Sequence, residues 1–215
     1  IVVKKISFQI IRILYLFVGL FIASLGTVLI VQADIGVDSW SVLHIGITLH
    51  TPLTIGKACQ LIGVVLIIAG LFLKIKPGIG TIMNMYFIGF FQDLIFRLNF
   101  IKQPDSLLWS WIYLMGGIII FGAGCGLYIN SNFGAGPRDG LMLGLAKLTG
   151  KSVAFIKTII ELTVTVIGFL LGGPVGIGTV VFALLVGHII QWSLKNLKLP
   201  SHEVQQSDYR GKIST

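Results

Sequence analysis

Residues 107–129 read LLWSWIYLMGGIIIFGAGCGLYI, a stretch without a charged side chain. It is longer than the roughly 20 residues that an α-helix needs to cross a bilayer. The whole chain agrees with this stretch, because 55% of its 215 residues are hydrophobic and mean hydropathy is +0.94. Only 11% are charged, against about 25% in soluble domains. This composition excludes a soluble or disordered chain and predicts an all-α integral membrane protein with about six transmembrane helices. The other five apolar runs cover approximately residues 6–31, 58–73, 79–96, 153–171 and 177–194.

The first apolar run has an alternative interpretation as a cleaved secretory signal. Lys4 and Lys5 precede it, and Val31-Gln32-Ala33 resembles a cleavage site. However, the apolar core of a signal is about 7–15 residues long, and this run is much longer. We therefore expect the run to be retained as a span.

The chain repeats itself at an offset of 98 positions. Residues 15–93 align with residues 113–191 without a gap, and a Gly-Ile-Gly-Thr run recurs intact at 78–81 and 176–179. Chance matches between apolar residues would not keep so many glycines in register. We predict one membrane domain over 1–215, built from a repeat at about 6–98 and a repeat at about 107–194. A polar tail follows over 199–215. Further identical pairs are Gly19/Gly117, Gly26/Gly124, Gly36/Gly134 and Gly89/Gly187.

The charges indicate how the repeats enter the membrane. A repeat of three spans is odd, so the second copy has to be inverted relative to the first. With both termini in the cytoplasm, only Lys57, Arg97 and Lys102 of the 16 Lys and Arg residues fall on the outer side. This is a strong positive-inside bias. The net charge of +8 therefore indicates topology rather than nucleic-acid binding, for which a basic stripe would be expected.

Two short apolar stretches, 41–49 and 141–148, occupy equivalent positions in the two repeats. A helix of about ten residues rises roughly 15 Å, about half of the hydrocarbon core. Each stretch is therefore expected to form a short helix that either re-enters the membrane or lies at the interface. We expect both to tilt into the membrane, with their N-terminal loops near the functional centre.

The loops before these short helices supply the first candidate site. Glycine allows tight turns with exposed N–H groups, and a helix N-terminus attracts negative charge. An arginine there would add a bidentate donor for a carboxylate or phosphate. The alternative is a cytoplasmic turn whose arginine faces lipid headgroups. The candidate solute-binding residues in these loops are Asp38, Trp40, Gly134, Gly136, Arg138 and Asp139.

Polar residues inside the predicted spans supply the remaining candidates, because each is costly in hydrocarbon unless it is paired or faces a cavity. Glu161 lies near the middle of the fifth span, one turn after Lys157, and we expect it to be paired or to line a cavity. Asp93 and His188 are the other candidates, with headgroup contact as the alternative for Asp93. The four His and two Cys residues show no metal-ligand spacing, so neither a metal nor a cofactor is expected.

The chain resembles the YczE/YyaS/YitT family of bacterial multi-pass membrane proteins. The resemblance covers nearly the whole chain and is most specific at Gly136-Pro137-Arg138-Asp139-Gly140. Thr149-Gly150, Glu161, Gly172-Gly173 and the Gly-Ile-Gly-Thr run at 176–179 also carry it. The resemblance implies a location in the bacterial cytoplasmic membrane, and it implies no catalytic residue and no substrate.

Two classes of function follow. The first is a small-solute permease or channel, with an anionic or dipolar solute favoured, because inverted repeats create paired sites near the membrane midplane. The second is a non-transporting scaffold or regulatory partner of another protein. Besides the lipid bilayer, the possible partners are a small solute, a second copy of the chain and another membrane protein. No catalytic arrangement is visible, so an enzyme is not expected.

Overall fold

The computed structural model describes residues 2–134 and 136–199. The predicted polar tail lies outside the described residues except for its first residue, Leu199. The described part of the chain forms eight helices. They are α1 (Val2–Gln32), α2 (Ser39–His50), α3 (Ile55–Phe72), α4 (Ile79–Leu98), α5 (Leu107–Asn130), α6 (Pro137–Thr149), α7 (Val153–Leu170) and α8 (Ile177–Asn196).

Six of the described helices are long and apolar enough to cross a membrane: α1 from Gln9 onward, α3, α4, α5, α7 and α8. Large apolar side chains on these helices are exposed on the protein surface, for example Phe72 and Leu170. In water such a surface would be strongly unfavourable, whereas lipid chains cover it at no cost. The predicted all-α membrane fold with about six spans is therefore confirmed, and the helices contact the lipid bilayer.

Polar side chains fix the points where the helices begin. The Thr54, Ser106 and Ser152 hydroxyls accept hydrogen bonds from backbone N–H groups in the first turns of α3, α5 and α7. Asp38 caps α2 in the same way. Such caps satisfy N–H groups that have no partner inside the helix, which is especially valuable where water is excluded.

The centre of the fold is the packing of α1 on α5. Gly19 contacts α5 around Gly124, and Gly26 contacts α5 around Gly117, so the two helices run antiparallel. The glycines allow the two helix backbones to approach closely, as small residues do in membrane proteins. The offset of 98 relates Gly19 to Gly117 and Gly26 to Gly124, so the two contacts are equivalent. α4 packs on the other side of α1, and α8 on the other side of α5.

The helix bounds also recur at this offset. Helices α6, α7 and α8 begin 98 residues after α2, α3 and α4, and α5 ends 98 residues after α1. Antiparallel packing of the equivalent helices α1 and α5 is what an inverted repeat requires. The inversion across the membrane, the domain bounds and the cytoplasmic position of both termini stay predictions.

The loops before the short helices are tied to the last helix of the opposite repeat. The Gly178 N–H donates to the Ile35 carbonyl at 2.7 Å, and the Gly80 N–H donates to the Phe133 carbonyl at 2.8 Å. The loops turn at Gly36 (φ +107°) and at Gly134 (φ +116°), a backbone conformation that favours glycine. α2 then packs against α7 and α3, and α6 against α3 and α7. The short helices are thus held inside the bundle, with their N-termini near its centre.

Candidate functional site

A cavity of about 340 Å³ lies between the eight helices where α2 and α6 begin. Its wall is mainly apolar, with polar and charged groups contributed by the short helices and by α4, α5 and α7. Of the predicted candidates, Asp38, Trp40, Gly136, Arg138, Asp139 and Glu161 all line it. The structure therefore brings together residues from both predicted loops and from the fifth span.

Arg138 is held against uncharged groups. Its guanidinium carbon lies 4.5 Å from the centre of the Trp40 ring. One of its terminal nitrogens, Nη2, lies 3.4 Å from His44 Nε2 and 3.8 Å from Cys59 Sγ. The single ion pair among the described residues joins two other side chains. Arg138 therefore has no carboxylate within 4.0 Å in the described part of the chain, although a guanidinium carries five N–H donors.

His44 supports this arrangement as a neutral ring. The side chain is 1% exposed, and burial together with the Arg138 charge holds the pKa of His44 well below its usual range. A neutral imidazole accepts at one nitrogen only, so acceptance from Arg138 at Nε2 leaves the proton on Nδ1. Nδ1 has no hydrogen-bond partner in the described residues.

The two carboxylates of the short helices are engaged elsewhere. Asp38 accepts from the backbone N–H groups of Trp40 and Ser41 at 3.2 Å, and also from the Ser41 hydroxyl. Asp139 accepts from the Tyr128 hydroxyl at 3.2 Å. Desolvation raises the pKa of Asp139, partly offset by the Tyr128 hydrogen bond and the Arg138 charge. Neither carboxylate neutralises Arg138 directly.

An ion pair and a buried amide add further polar groups to the cavity wall. The Lys157 ammonium lies 3.7 Å from a Glu161 carboxylate oxygen, so the expected pair forms at the cavity wall. Gln92 of α4 is 2% exposed and lines the cavity, and its Oε1 has no hydrogen-bond partner in the described residues. A buried polar atom without a partner is costly and is commonly satisfied by a bound molecule or water.

Three sequence candidates lie outside the cavity wall. Gly134 forms the turn before α6, where it packs near Gly78. Asp93 lies between α3 and α4 and accepts hydrogen bonds from the Thr54 hydroxyl and the Gly56 N–H at the start of α3. His188 is exposed on α8 and its Nδ1 contacts the Leu184 carbonyl in the preceding turn.

Several residues that build the site were not predicted from the sequence. They are His44, Cys59, Gln92 and Tyr128, and Asn84, whose amide lies 3.1 Å from a Cβ built on Gly136. His44 follows Trp40 by four positions on one helix face, which is a usable signal. For the others the sequence gives no comparable signal, because they come from helices whose inward face is decided by tertiary packing.

Six apolar spans around an internal cavity with charged groups in its wall define a multi-pass membrane protein. The chain belongs to the family described as "Family of unknown function (DUF6198)", whose model matches residues 10–195. The predicted YczE/YyaS resemblance is confirmed by curated relatives.

The chain is 34% identical over 204 residues to "Uncharacterized membrane protein YczE" of Bacillus subtilis, covering 93% of this chain and 94% of that protein. It is 36% identical over 176 residues to an "Uncharacterized protein" of Haemophilus influenzae, covering 82% and 80%. It is 28% identical over 179 residues to "Uncharacterized protein YyaS" of Bacillus subtilis, covering 82% and 89%. No solved structure matches the chain significantly.

Proposed function

We propose that the protein is a small-solute permease of a bacterial cytoplasmic membrane, with both termini in the cytoplasm. The observation that carries the proposal is Arg138, a guanidinium that has no carboxylate partner among residues 2–134 and 136–199 and lies at a cavity between membrane spans. An ionised side chain inside a membrane protein is costly and marks a solute or ion pathway by default. The cavity of about 340 Å³ is large enough for a small organic molecule.

The solute carries a compact anionic group that binds Arg138. A carboxylate or phosphate would take the guanidinium donors that face no described acceptor, and the N-terminus of α6 adds a favourable dipole. Gly136, the residue before this helix, has no side chain to occupy the position.

The remaining charges favour a dipolar solute over a dianion. Glu161 is paired with Lys157 at the cavity wall, but Asp38 and Asp139 also line it, so a second negative group would be repelled and a cationic group attracted. Gln92 Oε1, which no described residue engages in a hydrogen bond, adds an acceptor for an N–H or O–H donor of the solute. A zwitterion such as an amino acid has this distribution of charge.

The proposal is tested by uptake into proteoliposomes across a panel of amino acids, monocarboxylates, phosphate and inorganic cations. We expect uptake of at least one dipolar or monoanionic solute, and loss of this uptake in Arg138→Gln. The matched control is Arg97→Gln, because Arg97 is exposed at the end of α4 and does not line the cavity. Uptake that survives Arg138→Gln rejects the binding site. A folded protein that takes up nothing in the panel favours the scaffold or regulatory partner.

A further inference from the structure

The two repeats pack differently at one pair of helices. α3 lies along α4: a Cβ on Gly89 would collide with the Gly56 carbonyl oxygen, and a Cβ on Gly63 would come within 2.5 Å of the Met85 side chain. α7 and α8 are the equivalent pair, and they share no extended contact. A Cβ on Gly187, the counterpart of Gly89, would have no heavy atom within 4 Å.

A hydrogen-bonded cap that joins the two helices accompanies the closed pair only. The Asp93 carboxylate of α4 accepts from the Gly56 N–H at 2.9 Å and from the Thr54 hydroxyl at 2.5 Å, where α3 begins. Its counterpart, Gln191 of α8, forms no hydrogen bond with the described residues and lines the cavity instead. Ser152, the counterpart of Thr54, begins α7 and is exposed. In the second repeat Ser152 caps α7 at the Phe155 N–H, but among the described residues no side chain of α8 adds a hydrogen bond there as Asp93 does at α3.

The side-chain sizes along the open pair allow closure at a wider crossing than that of α3 on α4. Gly187 stands for Gly89, but Ala154 stands for Gly56, and a Cβ on Gly56 would collide with the Gly89 carbonyl oxygen. Helix α7 can therefore pack on α8 only with a slightly larger separation at this point. Further along the helices, Gly63 accommodates Met85 in the closed pair, and the equivalent residues of the open pair are Glu161 and Ala183. At this second contact the larger side chain is on α4 in the closed pair and on α7 in the open pair, so the combined side-chain volume stays similar.

The gap between α7 and α8 is continuous with the cavity. Lys157 and Glu161 of α7 and Gly187 and Gln191 of α8 all line it. On the other side, the contact between Gly63 and Met85 closes α3 against α4. The gap between α7 and α8 therefore forms part of the cavity wall, whereas the equivalent place between α3 and α4 is filled by the Gly63–Met85 contact.

We propose that the protein exchanges these two packings: α7 closes onto α8 while α3 separates from α4, which opens the cavity to the other side. This inference rests on the permease function proposed above. In the second state Gly187 packs against Ala154, and the Gln191 amide caps α7 at Ser152. A carboxylate binds a helix N-terminus more strongly than an amide does, so Asp93 explains why α3 and α4 are the closed pair here.

Disulfide trapping tests the exchange in native membranes. In a background with Cys59→Ala and Cys125→Ala, the pair Gly63→Cys/Met85→Cys reports the closure of α3 on α4. The two Cβ positions are 3.3 Å apart, near the separation that a disulfide needs. The pairs Ala154→Cys/Gly187→Cys and Glu161→Cys/Ala183→Cys report the closure of α7 on α8. Phe155→Cys/Gly187→Cys is the matched control, because Phe155 is one residue along α7 and points about 100° away.

We expect the α3–α4 pair and both α7–α8 pairs to cross-link, and the control pair to stay reduced. We also expect the two disulfides to exclude one another when a molecule carries all four cysteines. An α7–α8 pair that stays reduced while the α3–α4 pair cross-links overturns the exchange. Both disulfides in the same molecules also overturn it, because the closures would then be independent.

Asp93 and Gln191 are expected to decide which of the two packings is more populated. Asp93→Ala removes the hydrogen bonds that tie α4 to the start of α3, so cross-linking of α7 to α8 should become roughly tenfold faster or more. Gln191→Ala should slow it, and an unchanged rate in both variants counts against the exchange. These measurements need no solute. If the pairs cross-link as expected but no solute of the panel is taken up, the exchange is supported and the permease function is rejected. If uptake depends on Arg138 but the α7–α8 pairs do not cross-link, the permease function is supported and the exchange is rejected.

Discussion

Gly19 of α1 and Gly124 of α5 lie face to face. A Cβ on Gly19 would come within 2.8 Å of the Gly124 carbonyl oxygen, and a Cβ on Gly124 within 2.7 Å of the Gly19 carbonyl oxygen. The contact is reciprocal because the two helices are antiparallel. Without an apolar driving force between helices in lipid, such close backbone packing is a main source of association.

Gly124→Ala is therefore expected to lower stability by about 1–3 kcal/mol, because the added methyl group overfills the crossing. Thermal unfolding in detergent, followed by circular dichroism, measures the change. Gly116→Ala is the matched control on the same helix, since a Cβ there meets no heavy atom within 4 Å. The control should be neutral or slightly stabilising. Equal losses in both variants would show that the crossing is not tightly packed.

Asp38→Ala is expected to destabilise the start of α2 by about 0.5–2 kcal/mol, because two backbone N–H groups lose their acceptor. The loss should lie toward the upper end, since Asp38 is 6% exposed and the Ser41 hydroxyl loses its partner as well. Unfolding temperature in detergent checks this. Asp38→Asn keeps an acceptor at the same place and should retain most of the stability; a loss as large as that of Asp38→Ala would argue against capping.

Tyr128→Phe is expected to make stability more sensitive to pH. Burial raises the pKa of Asp139 above its ordinary value of 3.8, and the Tyr128 hydrogen bond lowers it. Without the hydroxyl this pKa rises further. A carboxyl group with a raised folded-state pKa holds its proton more tightly in the folded protein, so stability falls as pH rises from about 4 through that pKa.

The measurement for Tyr128→Phe is the unfolding temperature between about pH 4 and pH 8. The decline with rising pH should be steeper in Tyr128→Phe than in the wild type. Adding Asp139→Asn removes the titrating group and should abolish the difference in slope. A pH dependence that persists in the double variant would place its origin at another residue.

Trp40→Leu is expected to weaken solute binding by removing the ring that orients Arg138. A cation–π contact is worth about 0.5–2 kcal/mol, which corresponds to a roughly 2- to 30-fold rise in the KM of uptake. Trp40→Phe keeps a ring and should show a smaller rise. Trp192→Leu, on the exposed face of α8, is the control and should leave KM unchanged. A change in maximal rate without a change in KM would contradict an orienting role.

The spans and their order could be predicted from the sequence, because a run of about 20 apolar residues has one stable arrangement in a bilayer. Glycines kept in register at the offset of 98 also predicted that helix bounds would recur. The loops before α2 and α6 could be singled out from the sequence because glycines precede a short helix in both, and residues of both loops line one cavity. Their role in solute binding stays a prediction.

The rest of the site could not be predicted in the same way. Asp93 and His188 are polar residues in spans, as Glu161 is, and only tertiary packing decides which of them face the cavity. Asp93 is turned toward the start of α3, and His188 toward the protein surface. Gln92 reaches the cavity one residue away from Asp93, a rotation of about 100° that depends on how α4 packs against α1.

Arg138 and Trp40 stand at the same place in the two halves and touch each other. In a dimer of two identical halves, the same residue from each half would meet at that contact. Two arginines would repel each other, and two tryptophans would leave the cavity without this positive charge. A single chain is free of this constraint, because each half can change alone. The contact thus exists only because the halves have diverged, and an engineered homodimer of either half would lack it.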